Sequence, residues 1–237
     1  MTQKQQVIET MRNNGGFATF QQLNQIMDFS TWETKTPQAS IRRIVQVNKE
    51  FFRVRPGLWA LEECREAVYK KFDIQANNKK SEDTFSHSYY QGLIVELGNM
   101  RKYRTYVPSQ DKNRKFLDQK LSEIVTEKEL PSFASERISQ RAKTVDVIWF
   151  NERIMPSGFY EVEHSTNITN SLDKFYELQD FRAKFYIVAD ESRHEQFNDY
   201  ISRTLYKEIK PFVRFYNYEN LVQLYDKQCA LLEIEEL

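Results

Sequence analysis

Apolar residues follow two different periods in the first 62 residues. They recur at helical spacing in three stretches, which predicts helices over residues 4–13 and 20–27 and a third that begins at Thr36-Pro37. Pro is well tolerated at the first helical position, after a capping Thr. The next stretch, FFRVRPGLWAL, alternates and predicts a hairpin with strands over residues 51–54 and 58–61.

A polar stretch at residues 73–83 separates this region from a longer one in which helical and strand patterns alternate. We predict a small domain over residues 1–62, a linker over 63–83 and a second domain over 84–237. The predicted elements of the second domain are helix 85–100, strand 103–107, helix 114–126, strands 144–150 and 159–164, helix 171–181 capped by Asn170, strand 184–189, helix 192–205, strand 213–216 and helix 218–232. This alternation predicts an α/β fold with a mixed sheet flanked by helices.

Composition places the chain among folded proteins. Hydrophobic residues make up 40% and aromatic residues 14% of the 237 residues, which is too many for a disordered chain. No apolar run approaches the roughly 18 residues that a membrane helix needs, and the first residues lack the apolar core of a signal peptide. With only Cys64 and Cys229, we expect neither a disulfide framework nor a cysteine-rich zinc site, and we expect a cytoplasmic location.

The small domain carries a basic excess. Residues 1–62 hold eight Lys and Arg against five Asp and Glu, in a chain whose formal net charge is zero. Three helices followed by a hairpin is the order of a winged-helix module, whose third helix enters the major groove of DNA. There we expect base or phosphate contacts from Arg42, Arg43 and Gln46, and phosphate contacts from Arg53 and Arg55 on the hairpin. The alternative is a small helical module that docks on protein.

Two segments of residues 1–62 resemble parts of a known DNA-binding module. The stretches TPQASIRRIVQ and FFRVRPGLWALE resemble the winged-helix modules (HARE-HTH-like) that some restriction endonucleases carry at one end. The resemblance implies a DNA-binding role for residues 1–62.

Acidic residues interrupt two neighbouring strands of the second domain. Asp146 lies on the predicted strand TVDVIWF, and Glu161 and Glu163 share one face of FYEVEHS. Acids are depleted in strands, so their presence on both strands of a predicted hairpin suggests one shared site. Clustered carboxylates repel each other, and a divalent cation would hold them together; oxygen ligands favour Mg²⁺, with Mn²⁺ expected to substitute. The alternative is an edge hairpin with its polar face in water.

Glu96 is a fourth candidate acid. On the predicted helix 85–100 it borders the apolar face that Leu93 and Leu97 define, so it could serve as a further metal ligand. The alternative is a boundary Glu whose carboxylate reaches solvent.

These acids, in this order, resemble the PD-(D/E)xK nuclease superfamily over roughly residues 85–218. The superfamily pattern is an acid on one strand and (D/E)xK on the next, often with a Glu on a preceding helix. Here it reads Asp146, then Glu161-Val162-Glu163, with Glu96 upstream. The sequence departs from the pattern because Glu163 stands where the lysine is expected, although some members have ExE there.

The departure leaves two questions open. A second register, with the motif starting at Glu163 instead of Glu161, keeps the same strand face. The missing ammonium could come from Lys174 on the following helix or from Lys184 on the next strand, whereas Lys143 has the wrong parity to share the face of Asp146.

Three further side chains complete the candidate set. His164 alternates away from the glutamates, which favours a structural or DNA-facing role, and Lys174 and Gln179 are accessory candidates on the following helix. His87 and His194 are predicted to be surface residues.

The resemblance implies a two-domain, Mg²⁺-dependent endonuclease of double-stranded DNA that is similar to type II restriction enzymes. Asp146 and Glu161 would hold the metal, Glu163 would bind it or orient water, and a palindromic target would call for a homodimer. One alternative is a non-catalytic DNA-binding regulator with a degenerate nuclease domain, which the missing lysine supports. Another is a repair or structure-selective nuclease.

Overall fold

The computed structural model describes residues 1–74, 78–164 and 167–235. The chain divides into two units, Met1–Ser81 and Glu82–Leu237. The expected domain limits remain predictions, but part of the expected linker is helical in the structure, over Arg65–Lys71.

The first unit combines helices with a small antiparallel sheet. Its described elements are α1 (Gln3–Asn13), β1 (Phe17–Thr19), α2 (Phe20–Ile26), α3 (Pro37–Val47), β2 (Phe51–Arg55), β3 (Leu58–Leu61) and α4 (Arg65–Lys71). The strands are ordered β1-β3-β2 in the sheet. The predicted helices and hairpin are therefore present, while β1 and α4 were not predicted. The winged-helix assignment itself stays a prediction.

Local sequence explains where these helices begin. Thr19 and Gln22 form a reciprocal capping box at α2, in which each side chain accepts a hydrogen bond from the other residue's backbone N–H. Thr36 precedes α3 as predicted, but its side chain makes no capping hydrogen bond. The apolar stripe of α3 faces inward, because Ile41 and Val45 are buried in the core of this unit.

The second unit is built around a mixed sheet. Its described elements are α5 (Lys79–Met100), β4 (Arg104–Tyr106), β5 (Lys115–Phe116), β6 (Gln119–Lys120), α6 (Leu121–Ile124), α7 (Glu136–Ala142), β7 (Val147–Phe150), β8 (Pro156–Glu163), α8 (Ile168–Glu177), β9 (Lys184–Ala189), α9 (His194–Ile201), β10 (Val213–Asn217) and α10 (Tyr218–Glu235). Within the described residues, the main sheet has five strands in the order β10-β9-β8-β7-β4. Strands β4, β7 and β8 pair antiparallel, and β8, β9 and β10 pair parallel. This confirms the predicted α/β class and is compatible with a restriction-endonuclease-like fold.

Helices cover both faces of the main sheet. On one face, Phe159 and Phe185 of the sheet pack with Leu172 and Phe175 of α8. On the other face, the indole of Trp149 donates a hydrogen bond to the carbonyl of Ile94 in α5, at 3.2 Å. Gly98 permits this close approach, since a Cβ there would lie 2.6 Å from Trp149 Nε1.

The pairing of β7 with β8 fixes which residues share a face. Val147 lies opposite Tyr160 and Ile148 opposite Phe159, so the predicted hairpin is confirmed. The register changes by one residue only near the turn, between Trp149 and Phe150. The pairing is therefore regular where the strands approach Asp146 and Glu161.

Several predicted helix limits were wrong. Residues 114–126 form the small hairpin β5–β6 before the short α6, and Leu117 in its turn has a positive φ of 52° that no α-helix allows. Helix α8 begins after Asn167, whose side chain accepts a hydrogen bond from Thr169, so Asn167 and not Asn170 is the cap. Helix α5 begins earlier than predicted, where Asn78 Oδ1 accepts a hydrogen bond from the Ser81 N–H at 3.3 Å.

Candidate active site

Asp146 lies immediately before β7, and its side chain reaches across to β8. Its Oδ2 accepts a hydrogen bond from the Val162 N–H at 2.8 Å, and its Oδ1 lies 3.4 Å from Nε2 of His87 in α5. The side chain is 13% exposed. Asp146 is thus fixed beside the strand that carries the two glutamates.

Glu161 points from β8 toward α8 and is 3% exposed. Nζ of Lys174 lies 2.9 Å from both of its carboxylate oxygens, and the same ammonium donates to the Thr144 carbonyl at 2.8 Å. Ser171 Oγ lies 3.2 Å from Glu161 Oε2, between this carboxyl and that of Glu163. Of the two lysines that the sequence offered, Lys174 is therefore the one that the fold brings to the acids.

Glu163 shares the face of Glu161 and is 4% exposed. Ser171 Oγ donates to one of its oxygens, and Nη1 of Arg193 lies 3.6 Å from the other. The same nitrogen of Arg193 donates to the His164 carbonyl at 2.9 Å. Sequence reasoning missed Arg193 because a lone Arg before an amphipathic helix gives no signal of what it faces.

A cleft of about 400 Å³ unites these groups. The predicted site residues that line it are Asp146, Glu161, Glu163, His164 and Lys174. The imidazole of His164 is held by the hydroxyl of Tyr218, which lies 2.6 Å from its Nδ1. The structure therefore brings the acids of both strands and the helical lysine into one cavity.

A second polar group adjoins the cleft on the side of α5. Potential ligand atoms of His87, Asp111 and Asp146 lie within 4.8 Å of one another. Gln91, fully buried, donates from Nε2 to Asp111 Oδ2 at 2.8 Å and to the Asp146 carbonyl at 3.2 Å. Nε of Arg114 lies 2.9 Å from Asp111 Oδ1.

The prediction that His87 is a surface residue was wrong, since its side chain is only 20% exposed. One signal was available: His87 and Gln91 are four residues apart and so share a face of α5. Asp111 carried no such signal, because it lies in an irregular segment before β5.

Burial and charge set the protonation of the acids. Burial raises the pKa of the Glu161 carboxyl well above its ordinary value, the Asp146 charge adds to this, and Lys174 opposes it. Burial also acts to raise the pKa of Asp146, but the charge and hydrogen bond of His87, the Val162 N–H and the Lys174 charge together outweigh it, so that pKa is lowered. The surroundings therefore favour ionisation of Asp146 and oppose ionisation of Glu161.

Two predicted residues do not join this cleft. The Glu96 carboxylate accepts a hydrogen bond from the hydroxyl of Tyr225 in α10, and Glu96 follows His87 by nine residues, about 180° around the helix. Gln179 lies beyond the end of α8 and lines a separate cavity of about 630 Å³. The structure thus places neither the predicted metal ligand Glu96 nor the accessory Gln179 beside Asp146.

The predicted DNA-contacting residues of the first unit face outward. Arg42, Arg43 and Gln46 are exposed on α3, and Arg53 is exposed on β2. Arg55 is half-buried and donates a hydrogen bond to the Val54 carbonyl at 2.8 Å. Their role in DNA binding remains a prediction.

Comparisons with known proteins give a consistent result. No solved structure matches this chain significantly. None of the described helices is long and apolar enough to cross a membrane. A type II restriction enzyme, NmeDI of Neisseria meningitidis serogroup C, is 30% identical over 127 residues, which cover 48% of this chain and 35% of that enzyme. The match therefore spans only about a third of the relative's length.

The family match is broader. The family described as the type II restriction enzyme NmeDI C-terminal domain matches residues 68–236. That segment is most of the chain and includes Asp146, Glu161, Glu163 and Lys174. The chain therefore belongs to the family of the NmeDI C-terminal domain.

Proposed function

We propose that this chain is an endonuclease that hydrolyses phosphodiester bonds of double-stranded DNA, in the manner of a type II restriction enzyme. The observation that carries the proposal is the convergence of Asp146, Glu161, Glu163 and Lys174 in one cleft. Membership of a restriction-enzyme family supports a nuclease, and the acids supply the chemistry that such a reaction needs.

The residues present fit a divalent cation. Asp146 and Glu161 offer the carboxylate oxygens that Mg²⁺ and Mn²⁺ prefer, at the ends of two paired strands. The pKa of Glu161 is raised by burial and by Asp146, so a cation beside these acids would remove a real electrostatic cost. When bound, the ion would supply Lewis-acid charge to the phosphate and lower the pKa of a bound water.

We assign Lys174 the role of the lysine that the strand motif lacks. Its ammonium lies 2.9 Å from both oxygens of Glu161, so it orients that carboxylate and places a positive charge beside the cleft. A fixed cation there would stabilise the charge that develops on the phosphate oxygens. The ammonium comes from α8 and not from β8. The residue of β8 at which the superfamily pattern has a lysine can therefore be Glu163.

Glu163 is proposed to orient the attacking water or to bind the metal. Ser171 and Arg193 hold its carboxylate on the same face as Glu161. Arg193 places a positive charge beside this buried side chain, as a buried acid requires.

Recognition of the target is assigned to the first unit. Arg42, Arg43 and Gln46 on α3 would contact base edges or phosphates, and Arg53 and Arg55 would contact phosphates. A palindromic site would be read by a homodimer, because a two-fold protein matches a two-fold target.

The test is cleavage of a mixed-sequence plasmid with and without Mg²⁺, followed by mapping of the ends. We expect Asp146→Asn and Glu161→Gln to abolish cleavage while DNA binding persists. Asp199→Asn, a change of the same kind on the exposed face of α9, should cut like the wild type. Wild-type cutting by either site variant would refute the assignment, and ends at no fixed sequence would favour a repair or structure-selective nuclease.

The non-catalytic regulator is less well supported by the contacts. Its main argument was the lysine missing from β8, and Lys174 brings an ammonium to Glu161 by another route. A wild-type protein that binds DNA but never cuts it, with any divalent metal, would restore that alternative.

A further inference from the structure

We propose that the cavity of about 630 Å³ near the turn of the β7–β8 hairpin binds a nucleotide, with its base against aromatic side chains and its phosphate beside basic ones. None of the described residues that line this cavity also lines the acidic cleft. The inference therefore goes beyond the proposed nuclease activity and does not depend on it. The volume falls within the range of roughly 300–1,000 Å³ that small-ligand pockets occupy.

Aromatic rings of the described residues form a continuous row along this cavity. The ring of Tyr103 stacks on that of Trp149, with centroids 5.2 Å apart. The rings of Trp149 and Tyr160 are 4.5 Å apart, and the row continues to Tyr186 at a further 4.5 Å. Tyr160 and Tyr186 lie opposite each other on paired strands, so their side chains share a face of the sheet. Tyr160 precedes Glu161 in β8, and alternation therefore places the row on the face opposite to the acids.

The cavity begins where α5 ends. This helix ends at Met100, the chain turns at Lys102, whose φ is 62°, and Arg101 between them lines the cavity. The positive charge of Arg101 acts on the aromatic row. Burial raises the pKa of Tyr160 and of Tyr186, and the charge of Arg101 opposes that rise in both. An anionic group beside Arg101 would therefore lie close to the aromatic row.

The Tyr160 hydroxyl is a polar group that the protein leaves unused. The residue is 4% exposed, and its ring lies over Gly158, where a Cβ would be 2.9 Å from Tyr160 Cε2. No group in the described part of the chain forms a hydrogen bond with this hydroxyl, whereas those of Tyr206 and Tyr218 bond to Asp173 and His164. Most buried polar atoms have a partner. A ligand in the cavity can supply one to Tyr160.

Basic side chains outnumber acidic ones around the cavity. Among the described residues that line it, Arg101, Arg182 and Lys184 are basic and Asp180 alone is acidic, and all four are exposed. Arg101 Nε donates to Gln228 Oε1 at 2.9 Å, but none of the three basic groups pairs with an acid within the described residues. Guanidinium groups bind phosphate through charge-assisted hydrogen bonds. The charge balance therefore favours a ligand that carries a phosphate.

Phe212 offers an open ring at the same cavity. It is 55% exposed, and its carbonyl accepts a hydrogen bond from the Phe185 N–H at 3.1 Å, which fixes its backbone beside β9. No other aromatic ring of the described residues packs against it. A nucleobase stacks on such a ring whatever its identity, because every base has a π-face. Phe212 is therefore the side chain that we expect to contact the base.

Rings and positive charge together narrow the class of ligand. Aromatic cages bind quaternary ammonium ions, but such a cation would meet basic side chains of its own sign here. An inorganic anion would make no use of the aromatic row, and an apolar ligand would leave the Tyr160 hydroxyl unpaired. A nucleotide uses both kinds of group. It can be free in solution or belong to an unpaired or extruded position of a nucleic-acid strand.

The first test is calorimetric titration of the full chain, without divalent metal, with each of the four deoxyribonucleoside 5′-monophosphates, a mixed-sequence single-stranded oligonucleotide and inorganic phosphate. We expect a nucleotide probe to bind more tightly than phosphate alone. Phe212→Ala should weaken that binding by about 5–150-fold, as loss of one stacked base contact does. Arg182→Ala should weaken it by about tenfold, as loss of one charge-assisted contact does.

The matched controls change similar side chains elsewhere in this unit. Leu205→Ala removes an apolar side chain that is 56% exposed, and Arg137→Ala removes an exposed arginine of α7. Both should bind like the wild type. Phe212 and Arg182 are themselves exposed, so their variants should keep the wild-type melting temperature, and a loss of binding can then be assigned to the cavity.

Photocrosslinking distinguishes the two sources of the nucleotide. A 5-iodouracil base is supplied as the free 5′-monophosphate, in a single strand and in a duplex, and the attached peptide is identified by mass spectrometry. Attachment at Tyr103, Tyr186 or Phe212 from the free monophosphate identifies a free nucleotide, and attachment from an oligonucleotide alone identifies a nucleotide of a strand. No attachment in the cavity from any form, or binding that Phe212→Ala and Arg182→Ala leave unchanged, would overturn the inference.

A further variant separates this inference from the nuclease assignment. Glu161→Gln should abolish cleavage but bind the nucleotide probes like the wild type, because Glu161 lies on the other face of β8. A chain that cuts DNA while Phe212→Ala leaves nucleotide binding unchanged would refute the cavity and leave the nuclease assignment intact. A chain that never cuts, yet is crosslinked at Phe212, would do the reverse.

Discussion

The contact between Lys174 and Glu161 gives the sharpest prediction. Lys174→Met removes the ammonium that lies 2.9 Å from both carboxylate oxygens and leaves the aliphatic chain largely in place. Removing one partner of a fully buried ion pair costs about 3–5 kcal/mol. The Lys174 side chain is 19% exposed, and burial already favours the protonated form of Glu161, so we expect a smaller cost. About 2 kcal/mol, the value of one charge-assisted hydrogen bond, is a reasonable figure.

That cost should lower the melting temperature of the second unit by about 4–8 °C. The effect on catalysis should be larger. Loss of one preorganised charge beside the reacting phosphate reduces the rate by about 10²–10³-fold, equivalent to about 2.7–4 kcal/mol.

The assays are calorimetry and single-turnover cleavage of plasmid DNA at saturating protein. The control is Lys143→Met, which removes an exposed lysine from the segment before β7. Lys174→Arg keeps the charge but has a planar group of different shape, so it should recover the stability and not the rate. Wild-type cleavage by Lys174→Met would refute the catalytic role, and an unchanged melting temperature would refute the ion-pair argument.

Three further predictions concern other parts of the chain. Burial raises the pKa of Glu96, so this side chain favours the folded state most at pH values below about 4.5, and that stabilisation is lost as pH rises through the pKa of the folded state. Glu96→Gln should therefore raise the melting temperature at pH 8 and leave it unchanged near pH 4. Equal destabilisation at both pH values would contradict this. Burial and the hydrogen bond to Asp173 raise the pKa of Tyr206 to about 12, so the hydroxyl stabilises the fold fully below about pH 10 and loses that effect as pH rises through about 12. Tyr206→Phe should therefore lower the free energy of unfolding in urea by about 1 kcal/mol at both pH 7 and pH 9. A loss of stability at only one of these pH values would count against the argument. Arg53→Ala should reduce the slope of log affinity for DNA against log salt by about 0.9 on any duplex, whereas Arg42→Ala should weaken discrimination between the target and other sequences by about 1–3 kcal/mol. If neither variant changes the binding titrations, the first unit does not read DNA.

The two-residue alternation along a β-strand was sufficient to predict which acids share a face. Strand residues alternate between faces, so Glu161 and Glu163 had to share one face whatever the rest of the fold. A hairpin was the simplest connection to the strand of Asp146, and the observed pairing of Val147 with Tyr160 confirms it. Lys174 could be predicted as a candidate because the helix after β8 had to pack back onto the sheet.

The other half of the site could not be read from the sequence. Helix α5 is buried on nearly every side, so its apolar face did not show which polar residue would meet the acids, and Glu96 was chosen in place of His87. Asp111 and Arg193 reach the site from irregular segments whose positions depend on tertiary packing. The wrong helix at 114–126 has a related cause, because Phe116, Leu117 and Leu121 imitate helical spacing in a short hairpin.

The one-residue change of register near the turn of β7 and β8 determines where homologues can gain or lose residues. Because the irregularity lies between Trp149 and Phe150, at the far end from Asp146, that end of the hairpin already accommodates an unequal number of residues on its two strands. Insertions in the turn over residues 151–155 can be absorbed there without rotating the acids. A single-residue deletion between Gly158 and Glu161 would instead exchange the two faces of β8 and direct Val162 into the cleft. Homologues should therefore differ freely in length in this turn and keep a constant spacing beyond it.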